Sequence, residues 1–238
     1  MRPLPEDSQF WDSFLPFQRQ VAWAGMQSSL AQVVLKVASP GMPDFYQGSE
    51  LWDLRLVDPD NRGPVNFREL ERLLDAMVSR TISQDGLLKL ARELAGAPED
   101  GRIKLFAIWR CLALRRKYPE LFATGEYLSL EVTGGQSAHV VALARTKAKS
   151  AVLAVTGRLF HRLRVQTETG MNKLAVGRES WGKTHLKLPP QLATGRFRDQ
   201  LTGNTLAPDM SFRPADGPTL ALADVFSVLP VAMLEWNG

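Results

Sequence analysis

The chain has 238 residues, of which 45% are hydrophobic and 23% are charged, and its formal net charge is +4. This length can bury a substantial core in one or two domains, and the composition is that of an ordinary globular protein. No apolar run reaches the roughly 20 residues that a membrane-spanning helix needs, so we expect no membrane partner. The basic residues are spread over helix ends and strands, which argues against a nucleic-acid partner.

The single cysteine and the N-terminus bear on the cellular location. Cys111 is the only cysteine, so an internal disulfide is excluded. The first residues contain prolines and acids and lack the apolar centre of a secretory signal. Both observations predict a cytoplasmic protein.

Helical periodicity dominates the first half of the chain. Ser28 or Ser29 can cap a helix that Pro40 and Gly41 then stop. A loop of about twenty residues is predicted over 48–67. Loops of this length within a compact domain are usually functional or disordered, and the aromatic residues of this one argue against disorder. The predicted elements are an irregular lead-in over 1–15, helices over 17–25 and 28–38, a buried strand over 44–47, a loop over 48–67, and helices over 67–79, 84–95 and 102–117.

The pattern changes between Leu121 and Gly125, where short alternating runs replace the helical spacing. We therefore predict a domain boundary there, with one part over residues 1–122 and a second over 123–238. Many short strands separated by turn residues indicate an antiparallel β-sandwich in the second part. The predicted strands span 127–132, 139–144, 151–156, 161–166, 184–188, 195–199 and 226–234.

The loop after Gly48 contains four acidic residues, at positions 50, 53, 58 and 60. Paired carboxylates are what glycoside chemistry needs, one to protonate the leaving oxygen and one to attack or to activate water. Four acids in a loop nevertheless form turns and caps more often than they form catalytic pairs. Both interpretations are open from the spacing alone.

Aromatic residues beside these acids favour sugar binding. Tyr46, Trp52 and Phe67 offer apolar ring faces to a pyranose, and polar groups such as Asp60 can bond its hydroxyls. The guanidinium of Arg62 is a planar fork of donors that could bridge two sugar hydroxyls. Alternatively, it could hold the neighbouring carboxylates and only fix the loop.

No other group of residues predicts a catalytic or metal site. The histidines at 139, 161 and 185 lie far apart on different predicted strands, so we interpret them as surface or core residues. Cys111 lies within a predicted helix without a nearby histidine, which favours a buried structural thiol over a nucleophile.

The segment from Pro40 to Arg62 resembles the last barrel strand and the following loop of the α-amylase superfamily. Its run Pro-Gly-Met-Pro-Asp-Phe-Tyr-Gln-Gly-Ser-Glu-Leu-Trp-Asp-Leu-Arg-Leu-Val-Asp-Pro-Asp-Asn-Arg is similar to that of the maltooligosyltrehalose synthases. Two positions differ, since Gly63 stands where the family has a second arginine and Asn66 where it has an aspartate. The similarity also includes the helix over 18–36, the helix over 104–121 and the close of the chain over 229–232; it is strong over 28–67 and loose beyond 125.

The resemblance implies an α/β plus all-β fold. The first part would be the C-terminal remnant of a (β/α)8 barrel, with its last strand and helices, and the second an antiparallel β-sandwich domain. In the family the equivalent loop lines the glucosyl pocket. The resemblance therefore implies substrate-binding roles for Tyr46, Gln47, Glu50, Trp52, Asp58, Asp60, Asn61 and Arg62.

The family converts the reducing-end α-1,4 linkage of a maltooligosaccharide to an α,α-1,1 linkage, which makes a terminal trehalose unit without a metal or organic cofactor. Its three carboxylates lie at the ends of the fourth, fifth and seventh barrel strands, and none of those strands can be located here. We therefore assign no catalytic residue and expect the chain to be inactive alone, with a maltooligosaccharide as partner only in the full-length enzyme. The alternative is a glucan-binding or structural module without chemistry. An uncovered barrel surface would favour self-association.

Overall fold

The computed structural model describes residues 8–55, 58–163, 174–211 and 217–238. Helices dominate the first half of the chain, and two antiparallel sheets with short helical turns make up the second half. The described helices are α1 (Ser8–Ala38), α2 (Phe67–Arg80), α3 (Gln84–Gly96), α4 (Arg102–Lys117), α5 (Pro119–Thr124), α6 (Gly177–Trp181) and α7 (Leu222–Val225).

Nine strands form the two sheets of the described chain. The six-stranded sheet has the order β1-β3-β4-β9-β6-β7 and the three-stranded sheet the order β2-β5-β8, and every pairing is antiparallel. The strands are β1 (Glu126–Ser129), β2 (Val132–Thr133), β3 (Val140–Lys147), β4 (Ser150–Gly157), β5 (His185–Lys187), β6 (Arg196–Asp199), β7 (Thr205–Leu206), β8 (Thr219–Ala221) and β9 (Val231–Asn237).

Helix α1 is continuous, where the sequence predicted an irregular lead-in and two separate helices. Pro16 lies inside it, and the helix continues through this position although proline has no backbone N–H to donate. The rings of Phe10 and Phe14, one turn apart, stack with centroids 5.2 Å apart along this segment. Further on, the buried side chains Trp23, Leu30 and Val34 keep the helical spacing without a break.

The predicted strand over 44–47 is not formed. Residues 42–46 have no regular secondary structure, and a turn follows at 47–48. None of the nine described strands lies beside this segment. An extended segment becomes a strand only when a neighbour supplies the N–H and C=O groups of a ladder, so the hydrophobic pattern alone was insufficient.

Two predicted strands of the second part also need correction. Phe160–Leu163 is a 3-10 turn, and residues 164–166 of that predicted strand lie outside the described residues. In the apolar run over 226–234, the strand begins only at Val231, because Ser227 to Pro230 form bends after α7. The other predicted strands are present with shifted ends, and the antiparallel class is confirmed.

The hydrophobic core continues from the helical part into the sheets. Helix α1 packs across β4 and β9, and Val34 and Phe106 belong to the same buried cluster as Leu153 and Leu234. The predicted boundary at 122/123 stays a prediction from the sequence pattern, and so does the barrel origin of the first part. None of the described helices is long and apolar enough to cross a membrane.

Two arginines hold the C-terminal end of α1, where the chain turns toward the long loop. Arg115 of α4 donates to the carbonyl oxygen of Val37 at 2.5 Å and to that of Gly41. Arg145 of β3 is only 1% exposed, and one of its donors is 3.3 Å from the carbonyl oxygen of Ala38. Both cations complement the negative end of the helix dipole, and together they fix where the loop begins.

Candidate sugar-binding loop

Glycine at position 48 allows the loop to fold back on itself. Gly48 has a φ of +84°, and a Cβ there would lie 2.9 Å from both Nη2 of Arg55 and Cγ2 of Val65. Only glycine combines this backbone conformation with such a close approach. The start of the loop therefore packs directly against its later part.

A cleft of about 320 Å³ lies between this loop and the first turns of α2, a volume within the range of small-molecule sites. Trp52 is half-buried in its wall, and its Nε1 donates to the carbonyl oxygen of Pro98 at 2.7 Å. The lining residues are Gly48, Leu51, Trp52, Arg55, Pro64, Val65, Asn66, Glu69 and Leu70.

A bidentate ion pair forms the charged wall of the cleft. Arg55 donates to both carboxylate oxygens of Asp53, at 2.8 and 2.9 Å, and also to the carbonyl oxygen of Asn61 at 3.4 Å. The hydrogen bonds from Arg55 lower the pKa of Asp53 to about 2. Asp53 is therefore an anion at every physiological pH, and it orients the Arg55 fork at the cleft.

Lys104 of α4 contacts the loop at Leu51 and Trp52. Its Nζ donates to the carbonyl oxygen of Leu51 at 3.0 Å and lies 5.8 Å from the centre of the Trp52 ring. Burial lowers the pKa of this ammonium group, while the negative charges of Asp53 and Glu50 raise it. The contacts hold the indole of Trp52 in place.

Arg62 lies away from the cleft. It makes a bidentate ion pair with Asp58, and both side chains are largely exposed, at 69% and 48%. This contact corresponds to the loop-fixing alternative that the sequence left open. Asp60 and Asn61 precede Arg62 in the same 3-10 turn.

The structure brings only part of the predicted site together. Of the eight predicted substrate-binding residues, Trp52 alone lines the cleft, and Tyr46 and Gln47 are exposed outside it. Glu50 and Asn61 each bury a side-chain oxygen, Oε2 and Oδ1, that has no hydrogen-bond donor among the described residues. Such an orphaned acceptor is costly unless a ligand or water supplies the donor.

Sequence reasoning missed the polar residues Arg55, Asn66 and Glu69 of the cleft. Asp53 and Arg55 have the same Asp-x-Arg spacing as Asp60 and Arg62, so a signal for Arg55 was present in the sequence. Asn66 caps α2, because its Oδ1 accepts from the backbone N–H of Glu69 at 3.1 Å. Asparagine and aspartate are both good N-cap residues, so Asn66 can cap α2 at the position where the maltooligosyltrehalose synthases have aspartate.

The remaining candidates of the sequence have structural roles or none. Cys111 is fully buried, and burial raises the pKa of its thiol, which confirms the prediction of a structural thiol. Among the residues that the structure describes, no group of three or more His, Cys, Asp or Glu side chains could hold a metal ion.

Helices followed by antiparallel sheets, in this order, match the C-terminal region of an amylase-type enzyme. A putative maltooligosyl trehalose synthase of Mycobacterium tuberculosis is 36% identical over 206 residues, 87% of this chain. The maltooligosyltrehalose synthase of Arthrobacter ramosus is 28% identical, with a TM-score of 0.68 over 99% of this chain, and a single-substitution variant of it gives 0.70 over 98%. No protein-family model matches.

The chain therefore matches a C-terminal part of the maltooligosyltrehalose synthases, which confirms the resemblance noted in its sequence. It spans 20% of the length of the Mycobacterium tuberculosis relative. It covers 25% of the Arthrobacter ramosus enzyme.

Proposed function

We propose that the chain is the C-terminal part of a maltooligosyltrehalose synthase. The full-length enzyme would convert the reducing-end α-1,4 linkage of a maltooligosaccharide to an α,α-1,1 linkage, an intramolecular glucosyl transfer in trehalose biosynthesis. The 36% identity over 87% of the chain is the observation that supports this most strongly. A cytoplasmic location is part of the proposal and rests on the composition of the chain.

In this proposal the 46–66 loop contributes contacts to the sugar. The ring of Trp52 supplies an apolar face, and Arg55 presents a fork of donors that Asp53 keeps oriented. The buried oxygens of Glu50 and Asn61 lack donors within the described part of the chain, and sugar hydroxyl groups can supply them. Such a loop also helps to exclude water, which a covalent glucosyl intermediate requires.

Three carboxylates of the loop and of the start of α2 are poor candidates for the nucleophile or the acid. Asp53, Asp58 and Glu69 are each held in a bidentate contact by an arginine, which stabilises the anion and occupies both oxygens. We therefore propose that the chain contributes binding and enclosure and has no turnover alone.

Arg62→Lys in a full-length enzyme carrying this segment tests whether Arg62 belongs to the sugar site or only fixes the loop. Lysine keeps the charge but loses the planar fork, so we expect turnover on maltopentaose to fall about ten- to a hundredfold if Arg62 contacts sugar in the assembled pocket. The melting temperature should change little, because an exposed ion pair contributes only about 0–1 kcal/mol. Kinetics and thermal unfolding are measured on the same preparation.

Arg72→Lys is the matched control, because Arg72 makes an equally exposed bidentate pair with Glu69 on α2. It should leave turnover near that of the unchanged enzyme. Normal turnover of Arg62→Lys would remove Arg62 from the site and leave it a loop-fixing residue. The purified 238-residue chain should form no trehalosyl product, and turnover that depends on one of its own acids would contradict the proposal.

A further inference from the structure

A second cleft lies on the six-stranded sheet, and none of its lining residues belongs to the 46–66 loop. Its volume is about 350 Å³, again within the range of small-molecule sites. The turn between β3 and β4, the start of β1 and the turn at 190–192 surround it. We call it the Trp236 cleft, and the residues that matter most are Trp236, Gln191, Leu192, Ser150, Glu126 and Lys147.

The indole of Trp236 is held rigidly at this cleft. Trp236 lies on β9 opposite Phe197 of β6, and its Nε1 donates to the carbonyl oxygen of Thr194 at 2.7 Å. Gly195, with a φ of +89°, allows the backbone to approach closely, since a Cβ there would lie 2.9 Å from Nε1 of the indole. Because the protein already satisfies the N–H, what the ring offers a ligand is an apolar surface.

The charges of the cleft do not favour an anionic ligand. Lys147 is the only cation among the described residues that line the cleft. Its Nζ contacts Oε2 of Glu120 at 3.0 Å and Oγ1 of Thr124 at 2.6 Å. Glu126 adds a negative charge. The other polar lining side chains are uncharged hydroxyl and amide groups, such as those of Ser150 and Gln191. A phosphate would meet a neutralised cation here, whereas a polyol would meet both donors and acceptors.

A strained residue shapes one wall. Ala148 lines the cleft in the turn between β3 and β4 with a φ of +52°, in the left-handed region that non-glycine residues avoid. Such strain persists only where the surroundings fix the backbone, and it occurs most often at ligand sites and switch regions.

We propose that the Trp236 cleft is a second carbohydrate-binding site, separate from the loop, that takes glucosyl units of an α-glucan. The choice of α-glucan rests on the proposed function, and the choice of a sugar rests on the lining itself. A pyranose combines an apolar C–H face with a rim of hydroxyls, and the cleft combines one fixed aromatic ring with uncharged polar groups and a carboxylate. The site would hold a distant part of a long substrate.

The test follows the indole N–H resonances of the ¹⁵N-labelled 238-residue chain during titration with maltoheptaose. We expect the Trp236 resonance, assigned with a Trp236→Phe variant, to shift saturably. Gln191→Ala should weaken this binding about two- to tenfold, since it removes one neutral hydrogen-bonding group from an exposed turn. Trp52→Phe should leave the shift of Trp236 unchanged, and circular dichroism checks that each variant is folded.

Other outcomes overturn the inference. A shift confined to the Trp52 resonance would place glucan at the loop and exclude the Trp236 cleft, while leaving the proposed function intact. An unchanged spectrum at the highest maltoheptaose concentration would also exclude the cleft, and the proposed function would then be decided separately by the formation of a trehalosyl product by the full-length enzyme that carries this segment. Equal affinity of Gln191→Ala and the unchanged chain would contradict the assigned lining.

Discussion

Asp199 is a carboxylate buried in the sheet, with only 2% of its surface exposed. Its Oδ1 accepts from the backbone N–H groups of Leu201 and Met233, at 3.1 and 3.3 Å, and its Oδ2 accepts from Oγ1 of Thr202 at 2.6 Å. Burial raises the pKa of Asp199 to about 6, although these hydrogen bonds act in the opposite direction. The folded chain therefore binds this proton more tightly than the unfolded chain.

We expect this carboxyl to make stability depend on pH. Its stabilising effect is complete below its ordinary pKa near 3.8 and is lost as the pH rises through about 6. Asp199→Asn should remove that dependence, because the amide oxygen can accept from both N–H groups and the amide nitrogen can donate to Thr202. At pH 7.5 the variant should be more stable by about 1–3 kcal/mol.

Urea unfolding at pH 4.5 and pH 7.5 measures this effect. The control is Asp85→Asn. Asp85 is exposed, so this substitution removes a negative charge from the surface and leaves the buried carboxyl of Asp199 unchanged. If Asp199→Asn loses as much stability between the two pH values as the unchanged chain does, Asp199 is not the source of the dependence.

At the scale of elements, the buried guanidinium of Arg145 connects the helical part to the sheet. Besides Ala38, it donates to the carbonyl oxygens of Leu121, Phe122 and Gly125, at 3.3, 3.0 and 2.9 Å. A single side chain of β3 thus donates hydrogen bonds to backbone carbonyl groups at the C-terminal ends of both α1 and α5. No carboxylate among the described residues pairs with it in an ion pair.

Arg145→Met should therefore destabilise the chain by about 3 kcal/mol or more, because it leaves several buried carbonyl groups without a donor. The control is Arg158→Met, since Arg158 is exposed and its Nε donates to one carbonyl oxygen, that of Ala138. We expect that control to lose about 1 kcal/mol or less. The free energy of unfolding of both variants is measured by urea denaturation. If both lose the same amount, the buried contacts of Arg145 contribute no more to stability than the exposed contact of Arg158.

The helices α2, α3 and α4 could be predicted from the sequence, because the residues that define them are close together in the chain. The ends of α2, α3 and α4 were predicted within one or two residues, because their periodicity and the caps Asn66 and Ser83 are encoded nearby. The continuity of α1 was missed because Pro16 normally ends a helix and Ser28 or Ser29 can begin one. These local rules do not include the packing of α1 against the rest of the chain. The strand over 44–47 was wrong because strands depend on partners elsewhere in the chain.

The candidate site was predictable to a smaller extent. The sequence identified the loop and Trp52, since turn residues and aromatic groups are visible in it. The partner of each charge depends on how the loop folds back, which spacing does not determine. Arg55 consequently lies at the cleft, and Arg62, with the same local motif, points its fork at Asp58 on the surface.

At the scale of the whole molecule, an apolar stripe on the N-terminal half of α1 is exposed. Phe10, Phe14, Phe17 and Val21 follow the 4-3-4 spacing of a coiled-coil seam, and between 39% and 63% of each residue is exposed. Single exposed apolar residues are ordinary, but a continuous stripe of this kind marks an interaction surface. We expect two copies of the isolated chain to pair through it.

Sedimentation velocity of the purified chain tests this expectation. The unchanged chain should show a concentration-dependent dimer, and Phe17→Lys should shift it to monomer by placing like charges at the seam. Leu54→Lys is the control, since Leu54 is 90% exposed and lies outside α1. A monomer at every concentration, or a dimer that Phe17→Lys does not weaken, would contradict pairing through α1.

The packing of α1 across β4 and β9 has a consequence for how this region can be exchanged between related enzymes. The six-stranded sheet depends on α1 for part of its core, because this helix from the beginning of the chain packs on the central strands β4 and β9. A chimaera joined near residue 122 would leave those strands facing a foreign helix, although the junction itself lies in the short helix α5 and outside both sheets. Evolution and protein engineering therefore have to treat the helix and the sheets as one inherited unit.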